Sequence, residues 1–368
     1  MKKITDFLRD DIDTLNEYSV LDSKGFVKLD AMENPYEREI SIKANIPLSI
    51  DSQTLEYEDI FEANVNINRY PDANCEDLRK SLTKKYGLKK KYDSIIGNGS
   101  DELIQLICMA FLRSDNTILC PQPSFSMYKK IAQVLKFRFE EVPLKENFSL
   151  DINKMLEKIR EIDPAIIFLA YPNNPTGNLW LKNDINLIIK ATNGVVVIDE
   201  AYGAFSGESF LGEMNNYDNL LVMKTVSKVG LAGLRLGYLF GENSIIKQIN
   251  KLRLPFNINS ISQKISKLYT EDCKFINIQI KEIIKNRELL IDMLKDIKNI
   301  QAYDSKTNFI LFKILQGSAD EVFSKLLADN ILVKNMSKTP GLNGCLRVTV
   351  GTKKENDIFI QSLKKSII

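Results

Sequence analysis

The stretch GVVVIDEAY, residues 194–202, sets four β-branched residues in a row and ends them on two acids and a tyrosine. β-Branched side chains suit a strand. An unbroken apolar run, with no polar alternation, marks a strand covered on both faces, as in a parallel sheet. Working outward, AIIFLAYPNNPTG (165–177) and NLLVMKTVSK (219–228) repeat the pattern: an apolar run, then unusual polar residues. Between them, KNDINLIIKATN (182–193) has helical spacing and the length of a crossover. Further out, NTILCP (116–121), RFEEVPL (138–144) and RLGYLFG (235–241) read as strands, and CEDLRKSLTKKYG (75–87) and SDELIQLICMAFL (100–112) as amphipathic helices. Residues from about 75 to 250 are therefore expected to form a mostly parallel α/β sheet with helices on both sides.

Beyond 250 the pattern changes. A long helical stretch near 260–298 precedes the short strands NFILFKI and CLRVTVGT and a last helix in KENDIFIQSLKKS, which fits a smaller α+β domain. The expected division is an N-terminal arm and start of the small domain at 1–40, a large domain at 41–252 and a small domain at 253–368. The first 30 or so residues are polar and weakly patterned, an arm that gains order by docking.

The 50 basic and 48 acidic residues nearly cancel. No overall field recruits nucleic acid or an anionic membrane, and the basic run KKYGLKKKY (84–92) reads as a solvated helix end and turn. No apolar run approaches the ~20 residues of a membrane span. The start, MKKITDFLRDDID, lacks the apolar core of a signal peptide. Five scattered cysteines, Cys75, Cys108, Cys120, Cys273 and Cys345, show no metal-ligand spacing and suit reduced thiols in the cytoplasm. The chain has no histidine. Histidine-based triads, bases and zinc sites are thereby excluded, and no metal is expected. Proton transfer near neutral pH falls to a lysine, carboxylate, tyrosine or thiol.

In such sheets ligands bind beyond the carboxyl ends of the strands. The polar signals gather there: YPNNPTG (171–177), DEAY (199–202), SK (227–228), and GNGSDE (97–102) between a strand and a helix. The GSDE turn offers backbone amides at a helix start, suited to phosphate, and Ser227 and Arg235 add a hydroxyl and a forked cation. Asp199, ending a buried strand, needs a cation or donor. Each piece also has an ordinary reading. Lys228 alone is a surface lysine, Asp199 a helix cap, NNPTG a turn, Phe125 core packing and Tyr70 an interface tyrosine. A lysine, a carboxylate and a phosphate cradle together match pyridoxal phosphate, which needs an amine for its aldehyde, an acid for its ring nitrogen and an anchor for its phosphate.

NNPTG, DEAY and SK…LAGLR, in this order, resemble the aspartate-aminotransferase superfamily of pyridoxal-phosphate enzymes. With KLDAMENPY, YPD, GSDE and CLRVTVGT the chain is similar, from about residue 18 to 352, to the histidinol-phosphate aminotransferase branch. The resemblance implies fold type I, a mostly parallel seven-stranded large domain plus a small α+β domain, and a homodimer with shared sites. It implies that Lys228 joins the cofactor aldehyde and later moves the proton between the substrate Cα and the cofactor. It gives Asp199 the ring nitrogen, Asn174 and Tyr202 the ring oxygen, and Phe125 the ring face. The phosphate falls to Gly99, Ser100, Asp101, Ser227 and Arg235, with Tyr70 reaching in from the other subunit. Arg347 takes the anionic end of the substrates and Tyr18 closes over them.

Two departures are visible. Only two residues separate SK from LAGLR, one fewer than is common. Lys334, in ILVKNM, stands where an arginine thirteen residues before Arg347 is usual. Its single ammonium, without a bidentate fork, is expected to meet the substrate phosphate. The implied reaction interconverts histidinol phosphate plus 2-oxoglutarate with imidazole-acetol phosphate plus glutamate. Aromatic aminotransferase and threonine-phosphate decarboxylase activities are alternatives within the superfamily. A cofactor-sensing regulator is a non-enzymatic one, for which residues 1–40 lack a basic DNA-binding domain. An unrelated nucleotide-binding enzyme lacks its phosphate-loop fingerprint.

Overall fold

The computed structural model describes residues 3–14, 39–47, 57–271 and 274–367. Tyr18, Cys273 and the KLDAMENPY segment lie outside the described residues. Two antiparallel strands, β1 (Glu39–Pro47) and β2 (Tyr57–Asn66), come first, with a register shift at Ala44/Asn45. Helix α1 (Glu76–Tyr86) leads to β3 (Tyr92–Asn98), α2 (Gly99–Ala110), β4 (Thr117–Gln122), α3 (Ser126–Val134) and β5 (Arg138–Pro143). Helix α4 (Ile152–Ile162), β6 (Ile166–Ala170), α5 (Lys182–Ala191), β7 (Val195–Asp199), β8 (Leu220–Thr225), β9 (Leu236–Glu242) and α6 (Asn243–Asn250) follow.

Seven of these strands form one sheet in the order β3-β9-β8-β7-β6-β4-β5. β4 to β8 run parallel, and β9 pairs antiparallel with both β8 and β3. The unbroken apolar runs read from the sequence are the middle of this sheet. Val195, Val196, Val197 and Ile198 are all 0% exposed, each worth ~1.5–3 kcal/mol of burial. Helices on its two faces enclose separate apolar clusters. Tyr238 of β9 packs in one and Leu239 in the other, as the alternation of strand side chains requires.

The C-terminal part contains α7 (Ser260–Glu271), α8 (Lys274–Lys295), β10 (Ile300–Ala302), β11 (Phe309–Ile314), α9 (Ala319–Ala328), β12 (Lys334–Asn335), β13 (Cys345–Thr349) and α10 (Lys353–Ile367). Its four-stranded antiparallel sheet, β10-β11-β13-β12, packs on helices α8 to α10 through a third apolar cluster. The long helical stretch expected at 260–298 is thus two helices. The β1–β2 pair had no counterpart in the sequence reading.

The described part of the N-terminal segment is docked on the large sheet's helical layer. Phe7, Leu8 and Ile12 are buried there, Arg9 N–H donates to the Ala110 carbonyl (2.9 Å), and Asn116 Nδ2 donates to the Phe7 carbonyl (2.7 Å). Its apolar residues at positions 4, 7, 8 and 12 are a helical stripe too short to stand out among acids.

Candidate active site

A cleft opens at the carboxyl ends of β6, β7 and β8. Ser100, Asp101, Phe125, Asn174, Asp199, Tyr202, Ser227, Lys228 and Arg235 all line it, together with Thr225. Five chain segments distant in sequence converge because the sheet brings the ends of β3, β4, β6, β7 and β8 to one edge.

Asp199 ends β7 inside the sheet, 4% exposed. Burial pushes its carboxyl up to about 6, against the pull of the Tyr128 hydroxyl, which donates to Oδ2 (2.6 Å), and of the Ala201 amide, which donates to Oδ1 (3.0 Å). Lys228 also favours the charged form, without contact. Tyr128 was missed from the sequence. It is fully buried, stacks on Phe168 (centroids 4.7 Å, 4°) and meets Phe125 edge to face (5.5 Å, 86°). Its bonding to Asp199 across 71 residues depends on tertiary packing, and only its place three positions after Phe125 could have suggested it.

Lys228 lies half-buried in a tight turn after β8, its Nζ 5.7 Å from the Tyr202 ring centroid. The turn Ser227–Leu231 absorbs the shortened SK–LAGLR spacing through Gly230, at φ +98, and Arg235 itself is left-handed at φ +52. Arg235 still lines the cleft, with Nη2 3.6 Å from Asp101 Oδ2. Both side chains are about half exposed, so this pairing is weak and leaves the guanidinium available. Gly99, at φ +78, lies beneath Arg235: a Cβ there would sit 2.7 Å from Nη2. Helix α2 starts at Gly99 with no side-chain cap, so its first amides face the cleft unsatisfied by side chains.

Asn174 is buried and its Oδ1 accepts from Arg347 Nη1. A guanidinium cannot accept, so this bond leaves the Asn174 amide N–H₂ to donate. Asn173, with no exposure, ties the turn in place: its Nδ2 donates to the Pro123 carbonyl (3.0 Å) and Thr176 Oγ1 (2.7 Å). Burial pushes the Tyr202 phenol up to about 12, partly offset by Arg347, so it remains an O–H donor at neutral pH. Thr225, also unread in the sequence, donates to the Leu236 carbonyl (2.8 Å) and accepts from the Ser227 hydroxyl (3.0 Å) and amide (3.1 Å), fixing the turn that carries Lys228. Glu200 is held by Lys224, Ser209 Oγ (2.8 Å) and the Phe210 amide (2.6 Å), which anchors the chain beyond Asp199.

Four expected residues stand outside the cleft wall. Gly99 packs beneath the Arg235 guanidinium. Arg347 reaches it through Asn174. Lys334 is exposed on β12, paired in register with Arg347 and so on the same face of the sheet. Tyr70 is 54% exposed, stacks on Phe256 at 4.6 Å and does not line the cleft.

These residues fit pyridoxal phosphate. The uncapped helix start beside Ser227 and Arg235 suits a phosphate, and the buried Asp199 carboxyl, short of a contacting cation, suits a protonated ring nitrogen. A sheet of this order with this cleft defines a fold type I transferase. The chain belongs to the class I and II aminotransferases, whose sequence model matches residues 24–363. It is 41% identical over 363 residues to histidinol-phosphate aminotransferase 2 of Nitrosococcus oceani, with 98% of each chain covered. Its fold matches the histidinol-phosphate aminotransferase of Clostridium acetobutylicum (27% identical, TM-score 0.76, covering 81% of this chain and 90% of that one). The same fold is seen in the enzyme of Sinorhizobium meliloti in complex with pyridoxal-5'-phosphate (21%, TM-score 0.75, 81% and 83%). The protein is thus a pyridoxal-phosphate-dependent aminotransferase. No helix among the described residues is long and apolar enough to cross a membrane.

Proposed function

We propose that the chain transfers the amino group of L-histidinol phosphate to 2-oxoglutarate, giving imidazole-acetol phosphate and L-glutamate, in the cytoplasm. The convergence of Lys228, Asp199 and the α2 N-terminus on one cleft carries the aminotransferase chemistry. The 41% identity over 98% of the chain supports the donor. Among the described residues four cysteines are buried and free, which suits a reducing compartment.

When bound, pyridoxal phosphate supplies an aldehyde to receive the amino group and a protonated ring to accept the electron pair left at Cα. Asp199 would hold the ring N–H, with Tyr128 and the Ala201 amide holding Asp199. Tyr202 and Asn174 would donate to the ring oxygen, while Phe125 would cover one face. The α2 amides of Ser100 and Asp101, with Ser227 and Arg235, would hold the phosphate. Lys228 would take the proton from the substrate Cα and return it one position along, a transfer for which no histidine is available. Arg347 would hold the carboxylate of glutamate or 2-oxoglutarate.

Lys334 would add a single ammonium for the donor phosphate, on the face it shares with Arg347. Lys334→Ala is expected to raise KM for histidinol phosphate about 10-fold, with little change for 2-oxoglutarate. Steady-state kinetics on a panel including tyrosine, phenylalanine and threonine phosphate tests both this and the donor assignment. Preference for tyrosine over histidinol phosphate would refute the donor.

The active form is proposed as a homodimer in which Tyr70 reaches the partner's phosphate site. Tyr70 stacks on Phe256 with Leu254 74% and Ile67 49% exposed nearby in sequence, an apolar surface suited to burial. Lys228→Ala and Tyr70→Ala subunits, unfolded and refolded together, should regain about a quarter of the wild-type activity, because half the dimers would hold one intact site. No gain over the separate variants would place Tyr70 outside the neighbouring site.

A further inference from the structure

We infer that Phe309 is a positioning residue that aims Arg347 and Tyr202 into the cleft together, resting on the reading that Arg347 receives a substrate carboxylate. Phe309 opens β11 and is 3% exposed. The Arg347 guanidinium carbon lies 4.9 Å from its ring centroid, and the Tyr202 ring meets it at 5.0 Å and 88°. One ring therefore touches both a cation and a phenol that the cleft uses.

The chemistry of Arg347 explains why an aromatic ring belongs there. Among the described residues Arg347 makes no salt bridge; its supports are the Phe309 ring and the Asn174 amide oxygen. A carboxylate in that place would neutralise the guanidinium and compete with an incoming anion. A ring quadrupole attracts the cation and leaves its forked N–H groups and its charge to the ligand. Desolvation already lowers the Arg347 pKa, so the ring offsets a cost that burial imposes.

The ring is held firmly. The Phe309 amide donates to Thr307 Oγ1 (3.2 Å), and its carbonyl accepts from Ser305 Oγ (2.6 Å) and Thr307 Oγ1 (3.0 Å). Arg287, 2% exposed on α8, donates through Nη1 to the carbonyls of Thr307 (3.1 Å) and Phe205 (3.2 Å). Phe205 lies three residues after Tyr202, so the same guanidinium fixes both sides of the Tyr202–Phe309 contact.

The test replaces Phe309 in the full-length holoenzyme with mono-, di- and trifluorinated phenylalanine, which keep the shape while draining the ring's negative face. Titration calorimetry with succinate, a dicarboxylate that cannot react, reads the Arg347 site without turnover. Succinate Kd should rise stepwise with each fluorine, reaching about 10–30-fold, while Tm stays constant. Phe309→Leu should raise the KM for 2-oxoglutarate by a similar factor with a smaller change in kcat. A flat succinate Kd across the fluorinated series, or no succinate binding by the wild type, would overturn the inference. Failure to use histidinol phosphate with the succinate series intact would remove only the donor assignment.

Discussion

Lys228→Ala is expected to lower kcat by at least about 10⁴-fold, the upper range for the loss of a positioned acid–base group. The variant should still fold, because Lys228 is half-buried at a turn and its apolar neighbours Val226 and Val229 make the core contacts. The loss is large because the carboxyls of the cleft are otherwise engaged, Asp199 with the ring nitrogen and Asp101 beside Arg235, and no other group replaces the amine. The chain has no histidine, the Tyr202 phenol is pushed up to about 12, and Cys120 is buried with its thiol driven up. Single-turnover kinetics with the cofactor present, compared with the melting curve, separates lost chemistry from lost structure. Residual activity within tenfold of wild type would assign proton transfer elsewhere.

Asp199→Asn should lower kcat/KM about 10²–10³-fold, the range for one preorganised electrostatic group. An amide is nearly isosteric but carries no charge to keep a ring nitrogen protonated. The pH dependence provides a separate reading. Burial raises the folded carboxyl from 3.8 to about 6, so the folded, cofactor-free protein binds this proton more tightly than the unfolded chain. Its stability should therefore fall as pH rises from about 4 to about 6, and Asp199→Asn should remove that slope. Cofactor affinity should change in the opposite direction, rising through about pH 6 as the carboxylate forms. Tyr128→Phe removes the donor to Oδ2, so this rise should move to higher pH, with activity at neutral pH reduced about 10-fold. Equilibrium dialysis of the cofactor against pH checks both variants. Superimposable profiles for wild type and Asp199→Asn would contradict the role given to Asp199.

Some of this was legible in the sequence for a physical reason. Val195–Asp199 and its parallel neighbours Ile166–Ala170 and Leu220–Thr225 are buried on both faces, so their unbroken apolar runs reveal the sheet. Any polar residue just beyond such a run stands out. Asn174, Tyr202, Ser227 and Lys228 were readable in this way, and the sheet brings them to one cleft. Tyr128, Thr225, Phe309 and Arg287 were not. Each acts through a contact made by packing, and each also satisfies the ordinary pattern of its own helix, strand or turn. Phe309 in NFILFKI reads as one more apolar strand residue, and only the fold sets Tyr202 and Arg347 against its ring. The docking of Phe7, Leu8 and Ile12 was hidden for a related reason: three buried side chains among acids carry too short a pattern.

Catalysis requires that the Lys228 amine and the Asp199 carboxyl serve one cofactor. Borohydride reduction of the protein loaded with pyridoxal phosphate, followed by peptide mass mapping, tests it most directly. One pyridoxyl group per chain is expected, carried by Lys228 and lost when glutamate is added before reduction. A pyridoxyl group on another lysine, or none on a protein that still transfers amino groups, would contradict it.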